Sequence, residues 1–409
     1  MTARRGHDVL VIGGGVIGTA VLFFLACEGV DAALVDRGDV ATGTSGATMG
    51  NLSLHNRMPG PTWDLAMESR GIYADWASTL GTDFEFEITS SLMLVDTEDR
   101  MEWVRRRAEV QRAAGLDVEV VPSRQLRELD RTVSSDVAGA VYCGASARLN
   151  PFLLCRALAR HAERLGATMY RHTEVTGVDV QGQTVRGVQT PSGPITCGAV
   201  VDAAGAEADR VGQMASVPIH IVRDHGCIVV SERLPYLGIR IKGECTEGGG
   251  GEDHRDELAR RNNIHMVFSQ TSSGNCLVGR SGVRCDRLSG SSTLEAAVGI
   301  LRRAGRFIPA LYGLSAIRVF HGVRPYSQDG LPLLGEVGEP QGFYAACGFG
   351  DRGFALGAAG ARLVARSIMG SPGEISQALS AERIRVQLRA GAAPAAAAVE
   401  ARGQKEKEM

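Results

Sequence analysis

The chain has 409 residues, of which 44% are hydrophobic and 22% are charged, a composition typical of a globular protein with a large buried core. Its formal net charge of −2 excludes a bulk electrostatic attraction to nucleic acid or to an anionic membrane surface. The length predicts two or three domains.

The first segment predicts a strand, a turn, a helix and a second strand. Apolar, β-branched residues at 8–12 favour the first strand, 16–28 favours the helix, and the second strand at 32–35 ends at Asp36. Glycines in the middle of this nearly uncharged run argue against a membrane span, and the run lacks the cleavage site of a signal peptide. This order is that of the first unit of a Rossmann-like α/β domain.

The turn of this unit carries the pattern G-x-G-x-x-G at Gly13, Gly15 and Gly18. The first glycine permits a sharp turn, the second lets the backbone approach a pyrophosphate, and the third lets the helix pack closely on the strand. The helix N-terminus attracts phosphate, and Asp36 can accept hydrogen bonds from ribose hydroxyls. The segment therefore predicts a dinucleotide site; the alternative is a glycine-rich turn that binds no ligand.

Residues 37–56 are small and polar, with repeated glycine, serine and threonine. A loop of this composition directly after Asp36 can surround a phosphate or a flavin ring with backbone N–H groups. The residues expected to make these contacts are Arg37, Thr44, Ser45, Gly46, Met49, Gly50 and Asn51. The alternative is a disordered surface loop.

The middle of the chain alternates between helices and short strands. Helices are predicted at 61–80, 98–115, 122–129 and 149–166, and strands at 86–95 (as two short strands), 139–143, 168–171, 175–181, 185–190 and 194–197. The last four strands have the spacing of a meander. The run AVVDAAG at 199–205 is typical of a buried parallel strand, so the chain returns here to the nucleotide-binding sheet.

The remaining part predicts more sheet and two helices. Strands are predicted at 219–222, 227–230, 265–270, 276–279 and 342–346, and helices at 294–308 and 354–368. We expect a mobile loop at 247–254 and a flexible tail at 390–409. Nine cysteines without C-x-x-C spacing favour reduced thiols in the cytoplasm, with neither a disulfide framework nor a metal site.

Three further segments carry a resemblance to a known family. They are VVDAAGAEADRVG at 200–212, HGVRPYSQDGLPLLGEV at 321–337 and GFGDRGFALGAAGARLVA at 348–365. Together with the first glycine motif they make residues 7–370 similar to the D-amino-acid oxidase-like FAD oxidoreductases. That superfamily includes glycine oxidase, sarcosine oxidase, D-amino-acid dehydrogenase and the flavin subunits of opine, proline and hydroxyproline dehydrogenases.

The resemblance implies an α/β fold with two domains. A discontinuous, Rossmann-like FAD-binding domain is expected to comprise 1–83, 144–217 and 320–380. A substrate domain with a mixed, largely antiparallel sheet is expected to comprise 84–143 and 218–319.

The resemblance also implies a non-covalent FAD, because Gly322 and Val323 stand where sarcosine oxidases with covalent FAD have a cysteine. The glycines at 348–353 precede a helix whose N-terminus would face the flavin pyrimidine ring, where negative charge accumulates on reduction. The alternative is a helix that only packs. The further residues assigned to the cofactor are Val16, Ile17, Val175, Ala204, Gly205, Arg324, Gly350, Asp351, Arg352, Gly353, Phe354 and Ala355.

Arg324 stands where several family members have the arginine that holds the substrate carboxylate. A guanidinium can grip a carboxylate through two hydrogen bonds and so fix the neighbouring carbon. The alternative is a structural arginine paired with Asp329 or Glu336.

His225 and His321 flank the expected substrate strand and Arg324, and are the histidines favoured for a contact with the amine or the flavin. His55 and His265 are weaker candidates for the same role. A lone histidine is more often structural, so both assignments stay open.

The implied reaction is hydride transfer from the carbon next to an amine to flavin N5, followed by hydrolysis of the imine to a keto acid or aldehyde. Oxidases of this group use a lysine for oxygen activation, and the corresponding strand at 265–271 lacks lysine; Lys242 is not expected to align with it. The sequence thus favours a dehydrogenase of a D-amino-acid, proline-derivative or opine-like substrate.

Such a dehydrogenase needs an electron acceptor or partner subunits, and is expected in the cytoplasm or at a membrane surface. Three alternatives stay open: an oxygen-using oxidase of the glycine or sarcosine type, a non-catalytic flavin-binding subunit, and a nicotinamide-dependent dehydrogenase.

Overall fold

The computed structural model describes residues 6–235, 245–248, 256–286, 294–371 and 374–384, which form two β-sheets with helices packed against them. The helices are α1 Val16–Cys27, α2 Pro61–Thr79, α3 Glu98–Ala113, α4 Ser123–Leu129, α5 Pro151–Arg164, α6 Ala208–Met214, α7 Glu257–Arg261, α8 Leu294–Phe307 and α9 Gly353–Ile368. Short 3-10 turns lie at Thr44–Gly46, Gly205–Glu207 and Pro309–Gly313.

The strands of the first half are β1 Gly6–Ile12, β2 Ala32–Val35, β3 Asn51–Leu52, β4 Glu87–Val95, β5 Val118–Pro122, β6 Gly139–Arg148, β7 Thr168–Tyr170, β8 Gly177–Gln181, β9 Thr184–Gln189 and β10 Ile195–Asp202. Those of the second half are β11 Ile221–Arg233, β12 Cys245–Glu247, β13 Val267–Gln270, β14 Asn275–Gly279, β15 Val283–Arg284, β16 Ala316–Ser327, β17 Leu333–Glu336 and β18 Phe343–Cys347.

The first sheet has eight strands in the order β17-β18-β10-β1-β2-β7, with the β8–β9 hairpin joined to β10. Its central pairs, from β18 to β7, are parallel. The second sheet has ten strands and is antiparallel apart from the β12–β4 pair. The expected fold class, a Rossmann-like sheet with a mixed, largely antiparallel second sheet, is confirmed.

Helix α1, which packs on the first sheet, is apolar on every side. Nine of the twelve residues of α1 are buried, because it packs between the sheet, α5 and α9. Leu22 and Leu25 are completely buried, and each contributes about 1.5–3 kcal/mol through burial of apolar surface. This packing fixes the amino end of α1 against the carboxyl ends of the parallel strands.

The two faces of the second sheet have different surroundings. One face packs on α8, with Ile300 and Phe307 against Val229 and Phe268. The other face adds Met93 to the core around α1 and α9 and also meets the loop that follows β2. Any side chain of the second sheet that takes part in a site with the first sheet must therefore lie on this second face.

Several sequence-based boundaries were wrong because strand pairing overrides local turn signals. The segment 86–95 is a single strand, β4, with one register irregularity between Thr89 and Ser91 where it pairs with β6. The strands predicted at 194–197 and 199–205 form one strand, β10. Those predicted at 219–222 and 227–230 likewise form one strand, β11. Strand β7 belongs to no meander, since it lies parallel to β2, and β5 was not predicted.

Strand β16 runs through the second sheet from residue 316 to 327, although 320 onward was expected in the FAD-binding domain. The domain boundaries as such stay a prediction. The expected loop at 247–254 begins in β12, and its residues 249–254 lie outside the described residues, as does the tail at 390–409. No helix within the described ranges has both the length and the apolarity needed to cross a bilayer.

Candidate active site

The glycine turn between β1 and α1 has the close packing that its sequence predicts. Gly13 has φ +114°, and a Cβ there would strike the carbonyl group of Ala203. A Cβ on Gly18 would overlap the carbonyl oxygen of Gly13. Gly15 is the N-cap of α1 and leaves the helix N-terminus, with Val16 and Ile17, to be approached by a ligand.

Asp36 follows β2 and is tied into this turn. Its Oδ2 accepts a hydrogen bond from the backbone N–H of Gly14 at 2.6 Å, and its Oδ1 accepts one from Gly38 at 2.7 Å. A carboxylate has about four acceptor positions, so two remain for ribose hydroxyls. Sequence reasoning missed the first role of Asp36, which is to hold the turn in shape.

The loop after β2 joins the first helix to the second sheet. Ser45 Oγ accepts a hydrogen bond from the N–H of Val16 at 2.9 Å, and Thr44 Oγ1 donates one to the carbonyl of Val323 in β16 at 2.6 Å. Thr44 and Ser45 with Gly46 form a 3-10 turn. This part of the predicted loop is therefore ordered, and it links the two sheets at the expected cofactor site.

The remaining loop residues line the same junction. A Cβ on Gly279 in β14 would approach the Met49 methyl group to 2.8 Å, which places Met49 against the second sheet. Gly50 has φ +77° beside the carbonyl of Leu149, and Asn51 begins β3. These contacts bring the loop to the face of the second sheet that is turned away from α8.

The residues expected near the other end of the cofactor lie farther along the first sheet. Val175 is buried in the core on the far side of that sheet. Ala204 and Gly205 follow β10, where Gly205 has φ +58° and begins a 3-10 turn. Arg37 forms an ion pair of 2.5 Å with Glu207 of this turn. The structure thus groups Arg37 with Ala204 and Gly205, and the same turn meets β11, where Arg223 donates a hydrogen bond to the carbonyl of Ala206 at 2.9 Å.

The turn before α9 packs on β16. Gly350 has φ +59° and donates its N–H to the carbonyl of Pro325 at 2.7 Å, and a Cβ on it would strike the ring of Tyr326. Arg352 is the N-cap of α9 and hydrogen-bonds to the carbonyl of Gly330. The N-terminus of α9 is thereby fixed beside β16, the strand that carries Arg324.

The first residues of α9 are anchored from the opposite side. Gly353 begins the helix, and Ala355 is buried. The carbonyl of Phe354 accepts a hydrogen bond from the hydroxyl of Tyr73 in α2 at 2.8 Å. This bond fixes the direction of the N-terminus of α9, which is the positive end of the helix dipole.

Asp351 is charged and lies 3.7 Å from Arg280, which follows β14. Burial raises the pKa of Asp351, but the surrounding guanidinium groups, first that of Arg280, lower the pKa by more, so that it lies below its ordinary value. Its side chain is 37% exposed. The carboxylate therefore stays ionised throughout the neutral range, beside the N-terminus of α9.

Arg324 has hydrogen-bond partners that differ from the two that the sequence suggested. Its Nη1 donates to Asp224 Oδ2 at 2.6 Å, and its Nη2 donates to the carbonyl of Ser281 at 2.8 Å. The expected structural partners are occupied elsewhere: Asp329 pairs with Arg383, and Glu336 accepts from Gly342. Asp224 is the partner that sequence reasoning missed.

His225 and His321, the two histidines that the sequence favoured, lie on the opposite face of the β11–β16 ribbon, the antiparallel pair of these two strands, from Arg324. Cα partners in the antiparallel pair β11–β16 place Asp224 opposite Arg324, and His225 opposite Val323. Since side chains alternate between faces, His225 and His321 lie on the face of Cys227 and Val229, which packs on α8. Their ring centroids are 5.1 Å apart. The register therefore does not bring either histidine to Arg324.

The two weaker histidine candidates have structural partners. His55 is completely buried between Ser91 at 2.7 Å and Thr246 at 3.0 Å. Burial, and then Arg57 and Arg107, lower its pKa to about 3, so it is neutral. His265 lies 2.9 Å from Asn263.

The residues that the structure adds to the site are Asp224, Tyr326, Arg280 and Ser281. One signal in the sequence pointed to Asp224: it falls in the gap between two predicted strands that are in fact one strand, β11. In this single strand, Asp224 lies directly opposite Arg324 of β16. Within the described residues no group of three or more His, Cys, Asp and Glu side chains is arranged to hold a metal ion. All nine cysteines are free thiols.

Comparisons with known proteins find matches over most of the chain. A family model described as DAO, FAD dependent oxidoreductase, matches residues 8–367. Hydrogen cyanide synthase subunit HcnC of Pseudomonas aeruginosa is 29% identical over 392 residues, covering 84% of this chain and 88% of the relative. Glycine oxidase of Geobacillus kaustophilus is 28% identical over 370 residues, covering 87% and 90%.

Two solved structures show the same overall fold. Glycine oxidase from Bacillus cereus superposes with a TM-score of 0.79 at 27% identity, covering 89% of this chain and 95% of that one. L-Proline dehydrogenase from P. horikoshii superposes with a TM-score of 0.81 at 21% identity, covering 95% and 99%. The second likeness concerns the fold alone.

Proposed function

The chain belongs to the family of FAD-dependent oxidoreductases, and from this premise we propose that it oxidises the C–N bond of an amino-acid-like substrate held by Arg324. The observation that carries the proposal is the position of Arg324. It lies on the face of the second sheet that meets the cofactor loop, next to Tyr326, which contacts the turn before α9. The product would be an imine that water hydrolyses to a keto acid or aldehyde.

The residues of the first sheet fit FAD. The glycine turn provides a cradle that a Cβ on Gly13 or Gly18 would fill, and the N-terminus of α1 beside it suits a pyrophosphate. Asp36 would hold the ribose, the loop with Thr44 and Ser45 the middle of the cofactor, and the N-terminus of α9 the flavin. Bound FAD supplies the two-electron acceptor for the hydride that leaves the carbon next to the amine. We propose that it is held without a covalent bond.

Arg324 would bind the substrate carboxylate and thereby fix the carbon next to the amine. Its guanidinium is itself fixed by Asp224 and by the carbonyl of Ser281. This geometry leaves the arginine little freedom, so the orientation of a bound carboxylate is set before binding. No side chain needs to remove a proton from carbon if the substrate amine is neutral when the hydride leaves.

Among enzymes of this family we propose a dehydrogenase in preference to an oxidase. The three lysines of the chain are Lys242, Lys405 and Lys407, so no lysine lies in the described part of the chain, including β13 and β14. The substrate would be a D-amino acid, a proline derivative or an opine-like compound. A separate electron acceptor or partner subunits would then be needed, and the free thiols agree with a cytoplasmic location.

Two alternatives are supported by particular relatives. Similarity to the glycine oxidases of two bacilli supports an oxidase that releases hydrogen peroxide. Similarity to a protein named as a hydrogen cyanide synthase subunit supports a chain that works within a larger assembly. Peroxide formed on turnover in air distinguishes the first from a dehydrogenase.

The test is anaerobic bleaching of the purified yellow protein by D-amino acids, N-methyl amino acids, proline derivatives and opines. We expect at least one class to reduce the flavin, and Arg324→Ala to raise the apparent dissociation constant of that substrate at least about thirtyfold. Arg318→Ala is the matched control, because Arg318 is an exposed arginine on the same strand. No reduction by any compound of the panel would contradict the proposed function.

A further inference from the structure

The ion pair between Asp224 and Arg324 is formed across two neighbouring strands and is largely removed from solvent. The two residues are Cα partners in the β11–β16 pair, and their side chains are 17% and 14% exposed. The distance from Nη1 to Oδ2 is 2.6 Å, typical of a charge-assisted hydrogen bond. The arginine that is proposed to bind the substrate carboxylate is thus already paired with a carboxylate of the protein.

The guanidinium cannot swing away from Asp224 without losing its other contacts. Its Nη2 donates to the carbonyl of Ser281, and a Cβ on Gly226 would strike both the guanidinium and that carbonyl. Arg324 therefore lies across Gly226 in a fixed position. A ligand carboxylate must use the N–H groups that remain, which brings it close to the carboxylate of Asp224.

A second carboxylate lies near the pair. Asp351 follows Gly350, which packs on the ring of Tyr326, and it pairs with Arg280 at 3.7 Å and with Arg352 at 3.9 Å. Asp351 thus has guanidinium partners of its own, and Asp224 is the carboxylate that is hydrogen-bonded to Arg324.

From this geometry we propose that Asp224 is a specificity-determining residue that makes the site select zwitterionic amino acids over ligands with a carboxylate alone. A carboxylate bound to Arg324 adds a negative charge beside Asp224, which is unfavourable. A ligand with a positively charged ammonium group next to its carboxylate compensates Asp224 as well as Arg324. The inference rests on the proposed function, in that Arg324 is taken to be the substrate-binding arginine.

Two ligands of the same shape test the inference by binding alone. 2-Aminoisobutyrate is a zwitterion without a hydrogen on the carbon that carries the amine, so it cannot donate a hydride there. Pivalate replaces its ammonium group by a methyl group. The dissociation constants are measured by titration calorimetry on the FAD-loaded protein at neutral pH, and the readout is the ratio of the pivalate constant to the 2-aminoisobutyrate constant.

We expect the wild-type ratio to exceed one and Asp224→Asn to lower it at least about tenfold, through weaker binding of the zwitterion and tighter binding of pivalate. Asp209→Asn is the matched control. Asp209 pairs with Arg223 on the same strand, also at 2.6 Å, with side-chain exposures of 20% and 16%. Arg223 lies on the opposite face from Asp224, so this control is expected to leave the ratio unchanged.

A ratio that stays the same in Asp224→Asn, or two constants that move in the same direction, overturns the inference. If Asp224→Asn does not fold, the ratio is measured for the wild type and for Asp224→Glu instead. A wild-type ratio of one or below also overturns the inference. Failure of the proposed function is seen separately, as the absence of flavin reduction by every amine of the panel. An enzyme that is reduced by an amino acid but fails the ratio test keeps the proposed function and loses only the role of Asp224.

Discussion

Glu247 and Arg303 form an ion pair that is almost completely removed from solvent, between the end of β12 and α8. The distance from Arg303 Nε to Glu247 Oε2 is 2.6 Å, and the side chains are 2% and 3% exposed. Burial raises the pKa of Glu247, but His265 and Arg303 lower the pKa by more, so that it lies below its ordinary value. The pair joins a predicted loop segment to a helix, a contact that no local pattern indicates.

Replacing Glu247 by glutamine is expected to lower the free energy of unfolding at pH 7 by about 3–5 kcal/mol, because Arg303 then stays buried without its counter-charge. Since the folded pKa is depressed, the contribution of Glu247 is full above its unfolded pKa of about 4.3 and is lost as the pH falls through the folded value. Denaturant titrations should therefore show the difference between the proteins shrinking below about pH 4.

The control is Glu374→Gln, which breaks an ion pair with Arg366 in which both side chains are 44% exposed. An exposed pair contributes about 0–1 kcal/mol, so this variant should differ little from the wild type. A loss for Glu247→Gln no larger than for the control would show that the buried pair does not stabilise the fold.

At the scale of elements, the β11–β16 ribbon decides which side chains share a site. The sequence placed Arg324, His225 and His321 together because they are close along two strands. Alternation separates them: Arg324 faces the cofactor loop, and both histidines lie on the side of α8. Strand register, which depends on pairing over twelve residues, is needed to see this difference.

This separation predicts different effects of substitutions on one ribbon. His321→Ala and His225→Ala are each expected to change the dissociation constant of a reducing substrate less than about threefold, since neither side chain faces the ligand. Arg324→Ala should raise it at least about thirtyfold. The constants follow from the substrate dependence of anaerobic flavin reduction; a loss for either histidine as large as that for Arg324 would contradict the assigned faces.

At the scale of the whole molecule, the expected FAD site is assembled from segments far apart in the chain. The turn before α1, the loop with Thr44 and Ser45, and the N-terminus of α9 meet at the junction of the two sheets. A ligand bound by all of them stabilises the folded chain, because the unfolded chain holds none of these segments together.

FAD at a hundred times its dissociation constant is expected to raise the free energy of unfolding by about 2.7 kcal/mol. Gly18→Ala should lose most of this gain, since its Cβ would overlap the carbonyl oxygen of Gly13. Gly71→Ala is the control, because Gly71 lies in α2 with no neighbouring atom where its Cβ would go. Unfolding of the wild type and both variants is measured with and without added FAD.

Much of the fold could be predicted because the informative patterns are local. Each part of β1, the glycine turn, α1 and β2 lies within thirty residues, and the first two strands and the first three helices were placed to within two residues by periodicity and glycine chemistry. The later glycine turn before α9 was predicted for the same reason. Strands β10 and β11 were each predicted as two strands, because polar or glycine residues inside them resembled turns.

What the sequence determined by itself is the family and the cofactor, because both depend on short motifs whose residues are neighbours in the chain. What only the tertiary structure decided is the partner of Arg324. Asp224 lies a hundred residues before Arg324, and the two meet because β11 and β16 pair in one particular register. A pairing between distant strands is selected by the packing of the whole sheet, so no local pattern could specify that the carboxylate and the guanidinium share a face.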